Sequence, residues 1–311
     1  MTLFALSGAL EAGLIFGLVA MGVYISFRLL HLPDLTVDGS FPLGGAATAV
    51  AIVSGMNPFL ATALGTVAGA AAGLLTAVLS VRLKIMSLLA GILTMVALYS
   101  INLRVMGRPN ISLFGYETVF SPVQALFGGS IWSNAVMLAA IAIVAKLLLD
   151  WFLATEIGLA LRASGENPTM STAHAIDNDR MVIVGMVLSN GLVGLAGSVF
   201  AQSQGVADVS LGIGTVVVGL AAVIIGEASL GTSRIWLATL GCLVGALLYR
   251  LLVAVALGAG ALGLQAQDLN LVTAVVVAFA VCASRARQVA RGRIKCWVVA
   301  RFRPRQVPPG R

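Results

Sequence analysis

Charge is what this chain has least of. Charged residues make up 10% of its 311 positions, with 12 acidic side chains against 19 basic ones, where soluble domains carry about a quarter. Together with 59% hydrophobic residues and a mean hydropathy of +1.02, this excludes a water-soluble globule and leaves a polytopic membrane protein. Lysine is almost missing. Lys84, Lys146 and Lys295 are the only ones, and none ends the GxxxxGK[ST] loop that cradles nucleotide phosphates, so the chain is not its own ATPase. The three cysteines, Cys242, Cys282 and Cys296, have no metal or redox spacing and read as packing residues. His31 and His174 are lone loop histidines, and no nucleophile–base pair stands out. The chain is therefore not read as an enzyme, and no metal or cofactor of its own is expected. Met1–Gly13 lacks the basic start and the cleavage site of a secretory signal.

What is there is a series of apolar runs near 3–27, 41–55 (31–55 if a broken segment is immersed), 58–80, 86–104, 131–153, 180–203, 211–226, 235–257 and 268–284. Most approach the roughly 20 residues that a helix needs to cross a bilayer. The two short ones, 41–55 and 211–226, are the candidates for broken or re-entrant helices. Both follow a polar stretch, Pro33–Ser40 and Gln202–Ser210, as in transporters built from inverted repeats. Gly65, Gly69 and Gly73 recur every fourth residue on one helical face, a seam for close helix packing in lipid. Nine of the basic residues fall in 285–311. The positive-inside rule makes that tail cytoplasmic and, counting back, puts Arg28, Arg82, Lys84, Arg162, Arg180 and Arg234 on the same side. The chain thus divides into a membrane domain, 1–284, and a basic tail, 285–311.

The stretch His31–Gly45, HLPDLTVDGSFPLGG, sets two carboxylates, two prolines and three glycines between apolar runs. Buried charge is expensive in hydrocarbon and marks function or a cavity. A helix broken at Pro33–Ser40 and restarting near Phe41, with Asp38 or Ser40 as its cap, would bring Asp34, Thr36, Asp38 and Ser40 to a substrate path. The other reading is an interfacial turn with both aspartates wetted. Asn190, Gln202 and Gln204 are further candidates for the path, with interhelical hydrogen bonding as the alternative. Glu227 closes a span beside Gly226, and Arg250 is a charge inside an apolar run.

The loop Leu153–Asp179 holds Ile157, Leu159, Ala160 and Leu161 before Gly165 and Pro168. That pattern predicts a short amphipathic helix, either a docking knob for a partner protein or a helix lying on the lipid surface.

IGLALRASGENPTMSTAHAI in this loop resembles the cytoplasmic coupling loop of bacterial ABC importer permeases of the branched-chain amino acid and ribose type. DLTVDGS (Asp34–Ser40), GLAAVIIGEASLG (Gly219–Gly231) and DLNLVTAVVVA (Asp268–Ala278) resemble other signatures of that family, in the same order. LPDLTVDGSFPLGGAA is most similar to a subgroup some of whose members are linked to aromatic amino acid uptake. The chain departs from the sugar branch in lacking a basic N-terminal segment and an extra span.

The resemblance implies an all-α permease of eight or nine spans with discontinuous helices, in the bacterial inner membrane, working as a dimer. ATP would be bound by partner ATPase subunits and substrate delivered by an extracytoplasmic solute-binding protein. Gly158, Ala160, Arg162, Ala163, Gly165 and Asn167, in a coupling loop at about 154–179, would contact the ATPase. The expected function is import of a small solute such as an amino acid. The rival readings are an ion-coupled secondary transporter using Asp34 and Asp38, and a channel or scaffold.

Overall fold

A computed structural model describes residues 3–126, 132–230 and 234–258, with Val275 and Ala278. Its helices are α1 (Leu3–Val23), which runs on into a π-helical turn Tyr24–Leu29, α2 (Val37–Val53), α3 (Pro58–Val81), α4 (Ser87–Met106), α5 (Ser121–Leu126), α6 (Ser133–Ala154), α7 (Glu156–Glu166), α8 (Pro168–Ala173), α9 (Asn178–Gln204), α10 (Thr215–Leu230) and α11 (Ile235–Gly258). A 3-10 turn, Val209–Gly212, leads into α10. The only strands among the described residues, β1 (Asn110–Ser112) and β2 (Val206–Asp208), pair antiparallel, Ile111 opposite Ala207. The fold is all-α and polytopic: among the described residues seven helices are long and apolar enough to cross a bilayer, and α2 is a shorter apolar one. The ninth expected span, 268–284, falls outside the described residues but for Val275 and Ala278, and the basic tail 285–311 lies wholly outside them.

Lipid tails are as apolar as leucine, so close contact between backbones, more than burial, holds such a bundle together. The sequence supplies glycine at the crossings. A Cβ on Gly69 would stand 2.5 Å from the Asn190 carbonyl oxygen of α9 and 2.7 Å from Gly194 Cα. Gly65 and Gly73 meet Ser198 and Met186 of the same helix, so the seam predicted on α3 exists and runs antiparallel along α9. Helix α1 is the axis of the core. Ile15, Val19, Met21 and Val23 are fully buried among α6, α9, α10 and α11. Leu60 and Val67 of α3, Val96 of α4 and Leu148 and Trp151 of α6 face outward, an apolar surface that a bilayer or another subunit covers.

The chain leaves α1 at Leu30 and becomes irregular as far as Thr36. Leu30 packs on Gly185 near the start of α9, whereas Ser40, Gly44 and Gly45 meet Asn190, Gly194 and Gly197. Helix α2 therefore starts inside the bundle, level with the middle of the 27-residue α9, and runs parallel to it. Its 17 residues span about 25 Å at 1.5 Å each, short of the roughly 30 Å hydrocarbon core.

The break is immersed, as one of the two expected boundaries allowed. The helix nevertheless resumes at Val37, a turn before the expected Phe41. Pro42 is thus inside α2 and not in its first turn, and it withholds the donor that the Asp38 carbonyl would otherwise receive. Gly212 of the 3-10 turn fills the place left, its Cα pressed against that carbonyl and the Pro42 ring.

At one end of the bundle the close of α1, helix α7 and the start of α9 lie together, through Leu29 against Gly165 and Leu30 against Gly185. The antiparallel α3 ends there too. This end carries Arg28, Arg82, Lys84, Arg162, Arg180 and Arg234. At the opposite end β1 and β2 tie the loop after α4 to the loop after α9, with Ile111, Leu113 and Ala207 packed against Ala49 and Ile52 of α2.

Candidate functional site

The irregular segment Leu30–Thr36 is held by Asp34. Its Oδ1 accepts from the Thr36 backbone N–H at 2.9 Å, closing the tight turn that launches α2. Its Oδ2 accepts from Asn190 Nδ2 at 2.7 Å. Asn190 Oδ1 in turn accepts from Ser40 Oγ at 2.7 Å, and the hydroxyls of Thr36 and Thr76 lie 2.7 Å apart. Asp34, Thr36, Ser40, Thr76 and Asn190 are all fully buried, and no ion pair involves Asp34 among the described residues. Four of the seven residues expected along the path are thus brought together, but as a polar knot joining α2, α3 and α9. In this conformation they face one another and not an open channel. Gly91 of α4 closes the remaining side, since a Cβ there would stand 2.9 Å from Leu35 N.

Asp38 does different work. The expected cap on its own helix is not what it makes. The N-cap position is Thr36, without a side-chain bond, and the Asp38 carboxylate reaches across to α10 instead. Oδ1 accepts from Val216 N and Thr215 Oγ1, each at 2.8 Å, and Oδ2 from Gly214 N at 3.1 Å. The free N–H groups that begin a helix favour an anion, and here a residue from 176 positions away supplies it. The starts of α2 and α10 consequently meet inside the bundle, one helix running to the strand end and the other to the basic end. Asp38 also borders a cavity of about 320 Å³ beside α4.

Gln202 is apart from this knot, a dozen residues further along α9. Its amide holds the Val119 N–H at 3.0 Å and donates to Thr62 Oγ1 at 2.8 Å, an interhelical tie near the strand end. Gln204 is exposed at the end of α9. Arg250 lies with its guanidinium carbon 4.0 Å over the Phe16 ring, a cation–π contact that lets a charge sit among apolar helices.

The loop at the basic end folds as the amphipathic pattern predicted. Thr155 caps α7, and Asn167 both ends it and caps α8, accepting from Met170 N at 3.0 Å. Of the six residues expected to contact an ATPase, Gly158 and Gly165 turn inward. Gly158 lies on Phe152 and Leu153, and Gly165 on the Leu29 carbonyl so closely that a Cβ would overlap it. They seat α7 on the bundle and are no part of its outer face, which the sequence could not show because a glycine carries no sign of the face it takes. Ala160 and Arg162 are half-buried, and Ala163 and Asn167 are exposed. Beside them Ile157, Leu159 and Met170 stand 51%, 50% and 60% exposed. A cleft of about 480 Å³ opens between α7 and the π-helical turn, lined by Arg28, Arg162 and Glu166 among others. Arg28 Nε also pairs with Glu227 Oε1 at 2.7 Å, joining the π-helical turn after α1 to the last turns of α10.

Sequence reasoning passed over several of these groups. Lys146 and Asp150 form an ion pair within α6, and Asp150 also accepts from Thr239 Oγ1 of α11 at 2.6 Å. Opposite charges four apart in an apolar run were a readable signal. Thr76 and Thr215 gave none, being single hydroxyls in long apolar helices.

Comparison with known proteins agrees with this architecture. The family described as the branched-chain amino acid transport system permease component matches residues 5–284. A tyrosine transport system permease protein of Clostridioides difficile (strain R20291) is 39% identical over 264 residues, 85% of this chain and 86% of that protein. An uncharacterised protein of Rickettsia prowazekii (strain Madrid E) is 34% identical over 203 residues, 65% of this chain and 70% of that protein.

Proposed function

Since the chain belongs to the branched-chain amino acid permease family and is a multi-pass membrane permease subunit of an ABC amino acid importer, we propose that its cargo is an aromatic amino acid, tyrosine or a close relative. The relatedness to a tyrosine permease over most of both chains supports the cargo. The observation that carries the mechanism is the meeting of two opposed helix starts on Asp38, inside the bundle. Discontinuous helices with facing termini at mid-membrane are how transporters build a centre that opens to one side at a time.

Such a permease works with an ATPase and a solute-binding protein. The basic end is the cytoplasmic one by the positive-inside rule, and the ATPase docks there on the outer face of α7 and α8, through Ile157, Leu159, Ala163 and Met170. Gly158 and Gly165 transmit the push by seating α7 on the bundle, Gly165 directly on the end of α1. The permease pairs with a second copy, and the binding protein delivers cargo at the strand end. The membrane is the bacterial inner membrane.

Uptake of labelled tyrosine into vesicles containing the complete complex tests this reading. Uptake is expected to require ATP hydrolysis and the binding protein, and to persist when ionophores collapse the proton and sodium gradients. Uptake that follows an ion gradient without ATP would instead assign Asp34 and Asp38 to an ion-coupled transporter.

A further inference from the structure

The cavity beside Asp38 has a chemistry of its own. Its walls are mostly apolar, with Pro42 of α2, Met95, Val96 and Tyr99 of α4 and Ile213 after the 3-10 turn, and the Ser100 hydroxyl among them. Its volume, about 320 Å³, is within the range of pockets that take small organic ligands. Two residues with acceptor oxygens line it, Asp38 and Asn102. Among the described residues Asp38 Oδ2 receives one hydrogen bond, from Gly214 N, where a carboxylate oxygen has room for two. Asn102 is fully buried and donates to the Gly39 carbonyl at 3.4 Å, while its Oδ1 is buried without any donor among the described residues. An amide carbonyl shut away from water without a donor is costly, and Asn102 is one of the residues that line the cavity. On a helix with no other buried amide, that acceptor has no structural use yet assigned.

We propose that this cavity is a station for the cargo on its way through the membrane, taking an α-amino acid with a flat apolar side chain. The substrate ammonium donates to Asp38 Oδ2 and Asn102 Oδ1, and the ring lies between Met95, Pro42 and Tyr99. The assignment rests on the cargo reading given above and adds where the cargo is held and by which group it is recognised. A positively charged amine facing two acceptors, with no basic side chain on the cavity wall among the described residues, is selected at its amino end. Its position also fits passage: the cavity touches the carboxylate on which both half-helices begin, so filling it bears directly on that junction.

The test uses the complete complex in vesicles, with the three cysteines replaced by alanine and Ser100→Cys introduced on the cavity wall. The rate of maleimide labelling at that position is measured with phenylalanine, tyrosine or N-acetylphenylalanine, whose amine is blocked. Phenylalanine and tyrosine are expected to slow labelling several-fold and N-acetylphenylalanine to leave it unchanged. Adding Asn102→Leu should weaken the protection about tenfold, the worth of one hydrogen bond to a charged group, while Asn102→Asp, which keeps an acceptor, should retain it. If the complex carries tyrosine or phenylalanine but labelling ignores all three compounds, the cavity holds lipid or nothing and this assignment alone is overturned. Equal protection by N-acetylphenylalanine would overturn recognition through the amine. If the complex carries no aromatic amino acid, the cargo reading and the station fall together.

Discussion

Asp34 and Asn190 present a carboxylate to an amide, and the order in which they do so can be reversed. Asp34→Asn sets an NH₂ against the NH₂ of Asn190 and is expected to lower stability by about 2 kcal/mol, since a buried hydrogen bond to a charged group is lost and a donor is left facing a donor. Asn190→Asp alone brings two carboxylates together and should be worse. The double exchange restores donor to acceptor while Ser40 and Thr36 keep their acceptors. It should therefore recover more than half the loss in apparent melting temperature of the detergent-solubilised protein. Simply additive losses would show that the pair is not coupled and that the knot does not hold the break together. Four residues of this knot, Asp34, Thr36, Ser40 and Asn190, were legible in the sequence because polar groups are so rare in these spans, whereas the lone hydroxyl of Thr76 was not. Their arrangement was not. Which carboxylate turns inward to an amide and which reaches a helix start 176 residues on depends on contacts that no local pattern encodes.

Among elements, α3 and α9 depend on the closeness that glycine permits. Gly69→Ala puts a methyl group 2.5 Å from a carbonyl oxygen of α9, and overpacking of this kind costs about 1–3 kcal/mol. Gly191→Ala, on α9 itself, meets nothing nearer than 3.5 Å and should be neutral. Folded yield after solubilisation, measured by size-exclusion chromatography, checks the pair; equal losses would mean that the seam is not the contact that matters. The spacing of Gly65, Gly69 and Gly73 gave this seam away in advance, as the apolar runs gave the long helices and the run of Ile157, Leu159 and Leu161 before Gly165 and Pro168 gave α7. The start of α2 was misjudged by a turn. A proline ordinarily marks a helix's first residues, but here Gly212 closes over the carbonyl that Pro42 leaves free, and so the helix tolerates proline deeper in.

For the molecule as a whole, the proposed orientation, basic end inward, is open to direct test. Ser54 follows α2 at the strand end, and Thr172 lies on α8 at the basic end. In intact cells, Ser54→Cys should react with a membrane-impermeant maleimide added outside, and Thr172→Cys should react only after permeabilisation. The reverse pattern would invert the protein in its membrane and remove α7 and α8 from the ATPase.

Asp38 also has a kinematic consequence. Three hydrogen bonds fasten the start of α10 to the first turn of α2, and Gly212 is wedged against the same turn. The two helices point to opposite faces of the membrane from a common pivot. Drawing α2 along its own axis must either strip α10 of its anion or carry α10 with it. Because α10 ends on the Arg28–Glu227 pair beside α7, a pull begun at one water-facing surface reaches the other as a rigid linkage. A single carboxylate serves as the pin.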